Sequence, residues 1–369
     1  MLKALALKFA LALTCFQGLS LATSGCNASG RIDTHFHILP PAYIAAVNAA
    51  GGDPSGFSTP SWSPEAAIAS MEKFGTALSI LSVSTPGVPI AGTGQAARRL
   101  ARELNQNLGN YTMRASYQGR FGFFGVLPDW RDINGTLAEI EYLYMRQKLC
   151  AGVTIYTAYG DMLPGNASFR PIWAALQRHK ALVFLHPGVL DVVPKFLGND
   201  FPQPILEYPL ATTRAAVDLV ISRTFRDHPD IDIILSHAGG TLPFLANRVL
   251  SGFLAPLARN ASRVTAEEAA EDFQRFYLDT ALSSSAAQLD GMLDFTSPQK
   301  IVYGSDFPYL VGSGIQANID SYDTFVRTNP RGSLIDPSVL RLNAIRLLAE
   351  HSQNPGLRET KDEGSGIDN

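Results

Sequence analysis

The sequence predicts a single α/β domain folded as a (β/α)8 barrel. Three observations predict it: eight short apolar, β-branched runs; helical patterns between most of them; and a histidine or aspartate closing several of those runs. The runs lie at 32–37, 78–83, 121–126, 152–155, 182–186, 231–236, 276–278 and 301–303. With 369 residues, 46% hydrophobic and 17% charged, the chain has enough apolar material for a barrel, a fold that reaches this size as one domain. An open doubly wound sheet is the competing arrangement, weakened because no Gly-x-Gly-x-x-Gly turn follows the first run.

Ahead of the first run, Lys3 and Lys8 give a positive start before a short apolar stretch at 9–16, and Ser20-Leu-Ala22 offers small residues. This is the pattern of a secretory signal over 1–22, cleaved after Ala22. The stretch is too short to span a bilayer, so no membrane span is expected once it is removed. Removal takes the formal charge from −3 to −5, and with no basic stripe nucleic acid is not an expected partner. Five sequons begin at Asn27, Asn110, Asn134, Asn166 and Asn260, against roughly two expected by chance. They support the secretory route over its alternative, an uncleaved extension on a cytosolic enzyme. Asn134 and Asn166 read as loop positions and Asn110 as near a helix end. Cys26 and Cys150 have the option of pairing, but two cysteines cannot staple a domain of this size.

The barrel is expected over 31–350. In its first run, Arg31-Ile-Asp-Thr-His-Phe-His37, alternation puts Asp33, His35 and His37 on one face of a strand. Two imidazoles on one strand face suit a cation such as zinc, although an isolated His-x-His is more often a pair of strand histidines with no ligand. Ser63 and Pro64 supply an N-cap and a first helical residue. Further helical patterns cover 95–110, 134–149, 170–179 and 212–227. Residues 51–64 and 187–209 read as long βα-loops on the catalytic face. They carry Phe57, Trp62, Phe196, Phe201 and Tyr208, some of them candidates to stack on a substrate ring, with loop packing as the alternative. The polar tail 352–369 is expected to be disordered.

Whether His35 and His37 bind anything depends on the other strand ends. His186 closes the fifth run, His237 follows the sixth and Asp306 follows the eighth. A barrel brings C-terminal strand ends together, and barrel enzymes place their chemistry there. One such residue reads as a cap; all of them in register do not.

The segments His35-Phe-His37, Leu185-His-Pro187, Ser236-His-Ala-Gly-Gly240 and Tyr303-Gly-Ser-Asp-Phe-Pro308 resemble the metal-dependent decarboxylase branch of the amidohydrolase superfamily, from about Arg31 to about Glu350. That branch includes aminocarboxymuconate-semialdehyde, γ-resorcylate and 6-methylsalicylate decarboxylases. The resemblance implies that His35, His37, His186 and Asp306 hold one divalent ion, zinc first and manganese as the alternative. It makes His237 a non-ligand active-site histidine. His-x-His rather than Glu-x-His places the chain nearer the muconate-semialdehyde and methylsalicylate members, and no lysine ends the fourth run as two-metal relatives would require.

The implied reaction is non-oxidative decarboxylation of a small aromatic carboxylic acid, 6-methylsalicylate to 3-methylphenol in fungal polyketide biosynthesis, by a homodimer. Asp306 is then the first candidate to protonate the ring carbon, as ligand and acid in turn. His237 polarises the carboxylate or a metal-held water, or activates that water in a muconate-type mechanism. Arg214 and Arg248 rank lower as carboxylate partners. The competing readings are a metal-dependent hydrolase of a lactone or amide and a carrier without activity.

Overall fold

The computed structural model describes residues 30–351 except 118, 148, 193–195 and 199–200, and only the backbone of Phe196. The expected signal segment, Cys26, Asn27 and the tail from 352 lie outside the described residues.

The barrel strands are β1 (Arg31–Ile38), β2 (Thr76–Val83), β3 (Phe121–Gly125), β4 (Cys150–Tyr156) and β5 (Leu182–His186). A small antiparallel pair, β6 (Phe196–Leu197) and β7 (Phe201–Pro202), occupies the next loop, and β8 (Asp232–Leu235), β9 (Tyr277–Asp279) and β10 (Ile301–Val302) complete the barrel. The eight barrel strands are parallel and neighbour one another in chain order, as a repeated βα unit requires. β10 has only two regular residues, so the ring closes on β1 by bridges. Thr34 N donates to Tyr303 O (2.9 Å), Asp306 N to His35 O (2.9 Å) and His37 N to Phe307 O (2.7 Å). This seam lies among the candidate site residues.

Alternation along the strands aims the side chains, except in β1, where a register shift between Asp33 and Phe36 lets Ile32 and His35 both face inward, so Asp33 does not share the face of His35 and His37 by simple alternation as expected. Ile32, Ile80, Phe124, Phe184, Ile234 and Val302 fill the interior, which Ala344, Leu347 and Leu348 of the helix Pro337–Glu350 plug from one end. Val183, Leu185, Ile233 and Leu235 face the helices. His186, two residues beyond the inward Phe184, therefore points inward as well.

The helices depart from the expectations at informative places. Ser63 caps Pro64–Lys73 by accepting from Ala66 N, as its sequence demands. A helix Pro41–Ala49, not foreseen, follows β1. The helix expected over 134–149 is Ile133–Arg146, with Asp132 as its cap. Asn134 therefore sits in a first turn rather than a loop. The loop expected over 187–209 ends early, because Pro204 opens the helix Pro204–Ile221 and places Tyr208 on it. Pro209 inside that helix cannot donate a backbone bond, and Thr212 and Thr213 send their hydroxyls to the carbonyls of Tyr208 (3.2 Å) and Pro209 (2.9 Å). The stretch to 227 is a separate short helix, Thr224–Asp227, entered through Arg223 at φ 69°. Asn110, Asn134, Asn166 and Asn260 are all exposed. Cys150 is a buried thiol donating to Gly152 O at 3.1 Å. Among the described residues no helix is long and apolar enough to cross a membrane.

At the seam, a Cβ on Gly304 would lie 2.7 Å from that of His35. Gly304→Ala is expected to push β10 from β1 and to cost about 1–3 kcal/mol, the usual range for overpacking. Chemical denaturation checks this; unchanged stability would show that the seam is slack.

Candidate metal centre

His35 and His37 project from β1, His186 from the end of β5, His237 from just after β8 and Asp306 from the turn after β10, and all five are buried. Their donor atoms converge. His35 Nε2 lies 3.1 Å from His37 Nε2, and Asp306 Oδ1 lies 3.3 Å from the first and 3.1 Å from the second. His35, His186 and His237 form a second group whose ligand atoms also fall within 4.8 Å of one another.

The outward nitrogens of three of these histidines are pinned. His35 Nδ1 donates to Asp279 Oδ2 (2.8 Å), His37 Nδ1 to Ser82 O (3.3 Å) and His186 Nδ1 to Pro187 O (2.9 Å), with Thr85 Oγ1 3.0 Å from the last ring. Carbonyls and carboxylates only accept, so the protons sit on Nδ1 and the Nε2 lone pairs face the centre. His35 and His37 thus turn Nε2 and a carboxylate oxygen on one another, an arrangement that positive charge at the centre satisfies, whether a proton on His35 or a bound metal ion. The separations suit a metal ion: ligands about 2.0–2.1 Å from a tetrahedral zinc lie about 3.3 Å apart.

The electrostatics agree. Burial pulls His35 down, but Asp279 and Asp306 outweigh it and lift the group to about 10. Burial likewise opposes the charge on Asp306, yet His35, His237 and His37 hold its carboxyl well below the ordinary range. His37 and His186 are both held down, by burial first, and so keep neutral lone pairs. The cluster's acids draw positive charge to its middle while two of its imidazoles stay ready to ligate.

His237 differs. Its Nε2 lies 3.8 Å from Asp306 Oδ2, and its Nδ1 is buried with no protein partner. Nothing locks it in one tautomer. Its backbone is unusual as well: His237, Ala238 and Asp306 have φ of 56°, 57° and 61°, a region that costs a non-glycine residue energy and tends to cluster at functional sites. Asp279 holds one of these in place, since its Oδ1 accepts from His237 N (2.9 Å) and Ala281 N (3.0 Å) while Oδ2 holds His35. Sequence reasoning missed Asp279 by ending the seventh run at Leu278. The signal was the same as elsewhere, a polar residue closing an apolar strand. Asp33 is also buried, with Oδ1 accepting from His35 N (3.1 Å) and Ser305 N (3.2 Å), so it braces the seam behind the centre.

The aromatic candidates separate. Tyr208 meets the His186 ring at 6.2 Å, and Phe57 meets Tyr309 (5.8 Å), which meets the His37 ring edge-on at 5.5 Å. Trp62 instead packs on Tyr111 at 5.7 Å, as a loop residue anchored to the core. The side chain of Phe196 lies outside the described residues. Arg214 and Arg248 are exposed on their helices.

The model of the amidohydrolase family matches residues 32–349. The chain is 40% identical over 307 residues to decarboxylase macB of Penicillium terrestre, covering 80% of this chain and 89% of that one. It is 39% identical over 280 residues to 6-methylsalicylic acid decarboxylase of Penicillium expansum, covering 75% and 85%. The crystal structure of 5-carboxyvanillate decarboxylase from Novosphingobium aromaticivorans, complexed with manganese and 4-hydroxy-3-methoxy-5-nitrobenzoic acid, shares the fold. Its TM-score is 0.73 at 18% identity, over 89% of this chain and 99% of that one. The chain belongs to the amidohydrolase family. Its place there is among the decarboxylases.

Asp279→Asn presents an amide to His35 Nδ1 and frees that ring to turn or change tautomer. It is expected to weaken affinity for a divalent ion about 10- to 100-fold, read by titration against a competing chelator. Unchanged affinity would show that His35 needs no such partner.

Proposed function

We propose that the protein is a divalent-metal-dependent, non-oxidative decarboxylase of an aromatic hydroxy acid, converting 6-methylsalicylate to 3-methylphenol and carbon dioxide. One observation carries the reading: three Nδ1-pinned imidazoles and Asp306 converge on a buried point, in a chain 39% identical to a 6-methylsalicylic acid decarboxylase. His35, His37 and His186 offer Nε2, and Asp306 offers Oδ1. Three nitrogens and a carboxylate favour zinc, with manganese as the alternative. Such an ion, held by these four residues, would supply Lewis-acid stabilisation of the negative charge on the bound acid.

The residues around it do the rest. Loss of carbon dioxide from an aryl acid would leave a poorly stabilised charge on a ring carbon, and protonating that carbon first avoids this. Asp306 Oδ2 lies 3.8 Å from His237 Nε2, which supports a proton path from His237 through Asp306 to the ring carbon. The unpinned ring of His237 accommodates the change of protonation. Carboxylate and proton are consumed; arene and carbon dioxide leave. None of the five groups exceeds 8% exposure, and water held out of the centre favours this chemistry over hydrolysis of a lactone or amide.

Carbon dioxide and 3-methylphenol released from 6-methylsalicylate by the zinc- or manganese-loaded protein are the direct test. No release with either ion would overturn the substrate, and labelled water entering a ring-opened acid would identify a hydrolase. His237→Ala should keep its ion while losing about 100-fold or more in kcat; retained kcat would remove His237 from the proton path. The signal-like N-terminus and four exposed sequons extend the proposal to a secretory route, tested by a mobility shift with an endoglycosidase after expression in a fungal host.

A further inference from the structure

Two tyrosines beside the centre have buried hydroxyls with no well-formed hydrogen bond to the protein. Tyr156 ends β4, where its Cα pairs with that of His186. It follows Thr154 on the inward side of the strand by alternation. Its hydroxyl abuts the turn after β2, where a Cβ on Gly87 would lie 1.8 Å away. That turn holds φ at +63°, and its glycine leaves room for the phenol. Tyr309, three residues beyond Asp306, sets its ring edge-on to that of His37.

Both hydroxyl oxygens are buried without a well-formed hydrogen bond; that of Tyr156 has no partner at all among the described residues, whereas that of Tyr309 has weak hydrogen-bonding contact with Ser84 and Tyr43. Three other buried tyrosines do have partners. Tyr43 donates to Thr85 O at 2.7 Å, Tyr322 donates to Ile335 O, and the Tyr159 hydroxyl accepts from Tyr156 N at 3.1 Å. A buried hydroxyl without a partner is costly, and phenylalanine would fill either place without that cost. A phenol keeps its proton at neutral pH, so both stay O–H donors. The pair brackets the centre, one beside His186 and the other beside His37.

We propose that Tyr156 and Tyr309 are substrate-binding residues whose hydroxyls donate to an oxygen of the aromatic acid that the metal ligands do not engage. The inference rests on the aromatic-acid reading of the site. The oxygen belongs either to the outer side of the carboxylate or to a second hydroxyl on the ring. If it is a ring hydroxyl the pair also determines specificity, because a site built to hydrogen-bond an oxygen discriminates strongly against an acid that lacks it.

Two nitro analogues that cannot lose carbon dioxide distinguish the sources. One is 3-methyl-2-nitrophenol, shaped like 6-methylsalicylate; the other is 5-methyl-4-nitrobenzene-1,3-diol, which adds a hydroxyl opposite the nitro group. Binding of each to the zinc-loaded wild type, Tyr156→Phe and Tyr309→Phe is measured by calorimetric titration, alongside thermal unfolding. At least one variant is expected to weaken binding about 10-fold with no fall in Tm. Equal weakening for both ligands assigns the bond to the carboxylate side, and weakening for the diol alone assigns it to a ring hydroxyl. Unchanged binding of both ligands in both variants would overturn the proposal, as would a lowered Tm in both, which would show that the hydroxyls serve the fold. If binding responds but 6-methylsalicylate yields no carbon dioxide, the substrate fails and the subsite stands. If carbon dioxide is released and binding does not respond, the subsite fails and the reaction stands.

Discussion

Two imidazole lone pairs and a carboxylate oxygen held 3.1–3.3 Å apart repel one another unless positive charge lies between them, and the upper half of the barrel is built to withstand that repulsion. His35 and His37 leave β1 on one face. Asp306 comes from the other side of the seam, where its own N–H is bonded to His35 O. The bond that closes the barrel and the group that completes the centre therefore belong to one residue. Asp279 extends the same economy, fixing the His35 ring with one oxygen and the His237 backbone with the other.

Much of this was legible in the sequence because a parallel barrel imposes simple rules. Strands buried on both faces read as apolar runs, and polar residues at their C-terminal ends meet. That logic found His186, His237 and Asp306, although they are far apart along the chain. It lost Asp279 because a strand of three residues, Tyr277–Asp279, leaves no margin for an error of one at its end. It could not find Ser82, Thr85 or Pro187, which hold rings through a hydroxyl or a carbonyl that residue type does not advertise. Nor did it find Tyr156 and Tyr309, since a tyrosine on a buried strand or turn looks like core until its hydroxyl is followed. Of the two readings open for Trp62, the fold takes loop packing, turning the ring onto Tyr111. Tyr208 was recognised as an aromatic near the site but assigned to a loop, because two prolines flanking it mask a helix that Pro204 in fact begins.

His237 separates a decarboxylase account from a simple count of metal-binding side chains. Four imidazoles and a carboxylate surround the centre, and distance alone admits His237 as a ligand. Hydrogen bonding discriminates, since the other three rings have their outer nitrogens committed and His237 does not. A ligand benefits from a fixed tautomer, whereas a proton carrier must change its own. The left-handed backbone at His237 and Ala238 presents that ring beside Asp306 without tying it to a partner.

The central claim is that one divalent ion sits on His35, His37, His186 and Asp306 with His237 outside its coordination shell. Anomalous diffraction at the absorption edge of the loaded metal tests it most directly. The account predicts a single peak about 2.0–2.2 Å from Nε2 of the three pinned histidines and from an oxygen of Asp306, with His237 beyond bonding distance. A peak bonded to His237 in place of His37, or a second peak beside the first, would contradict it.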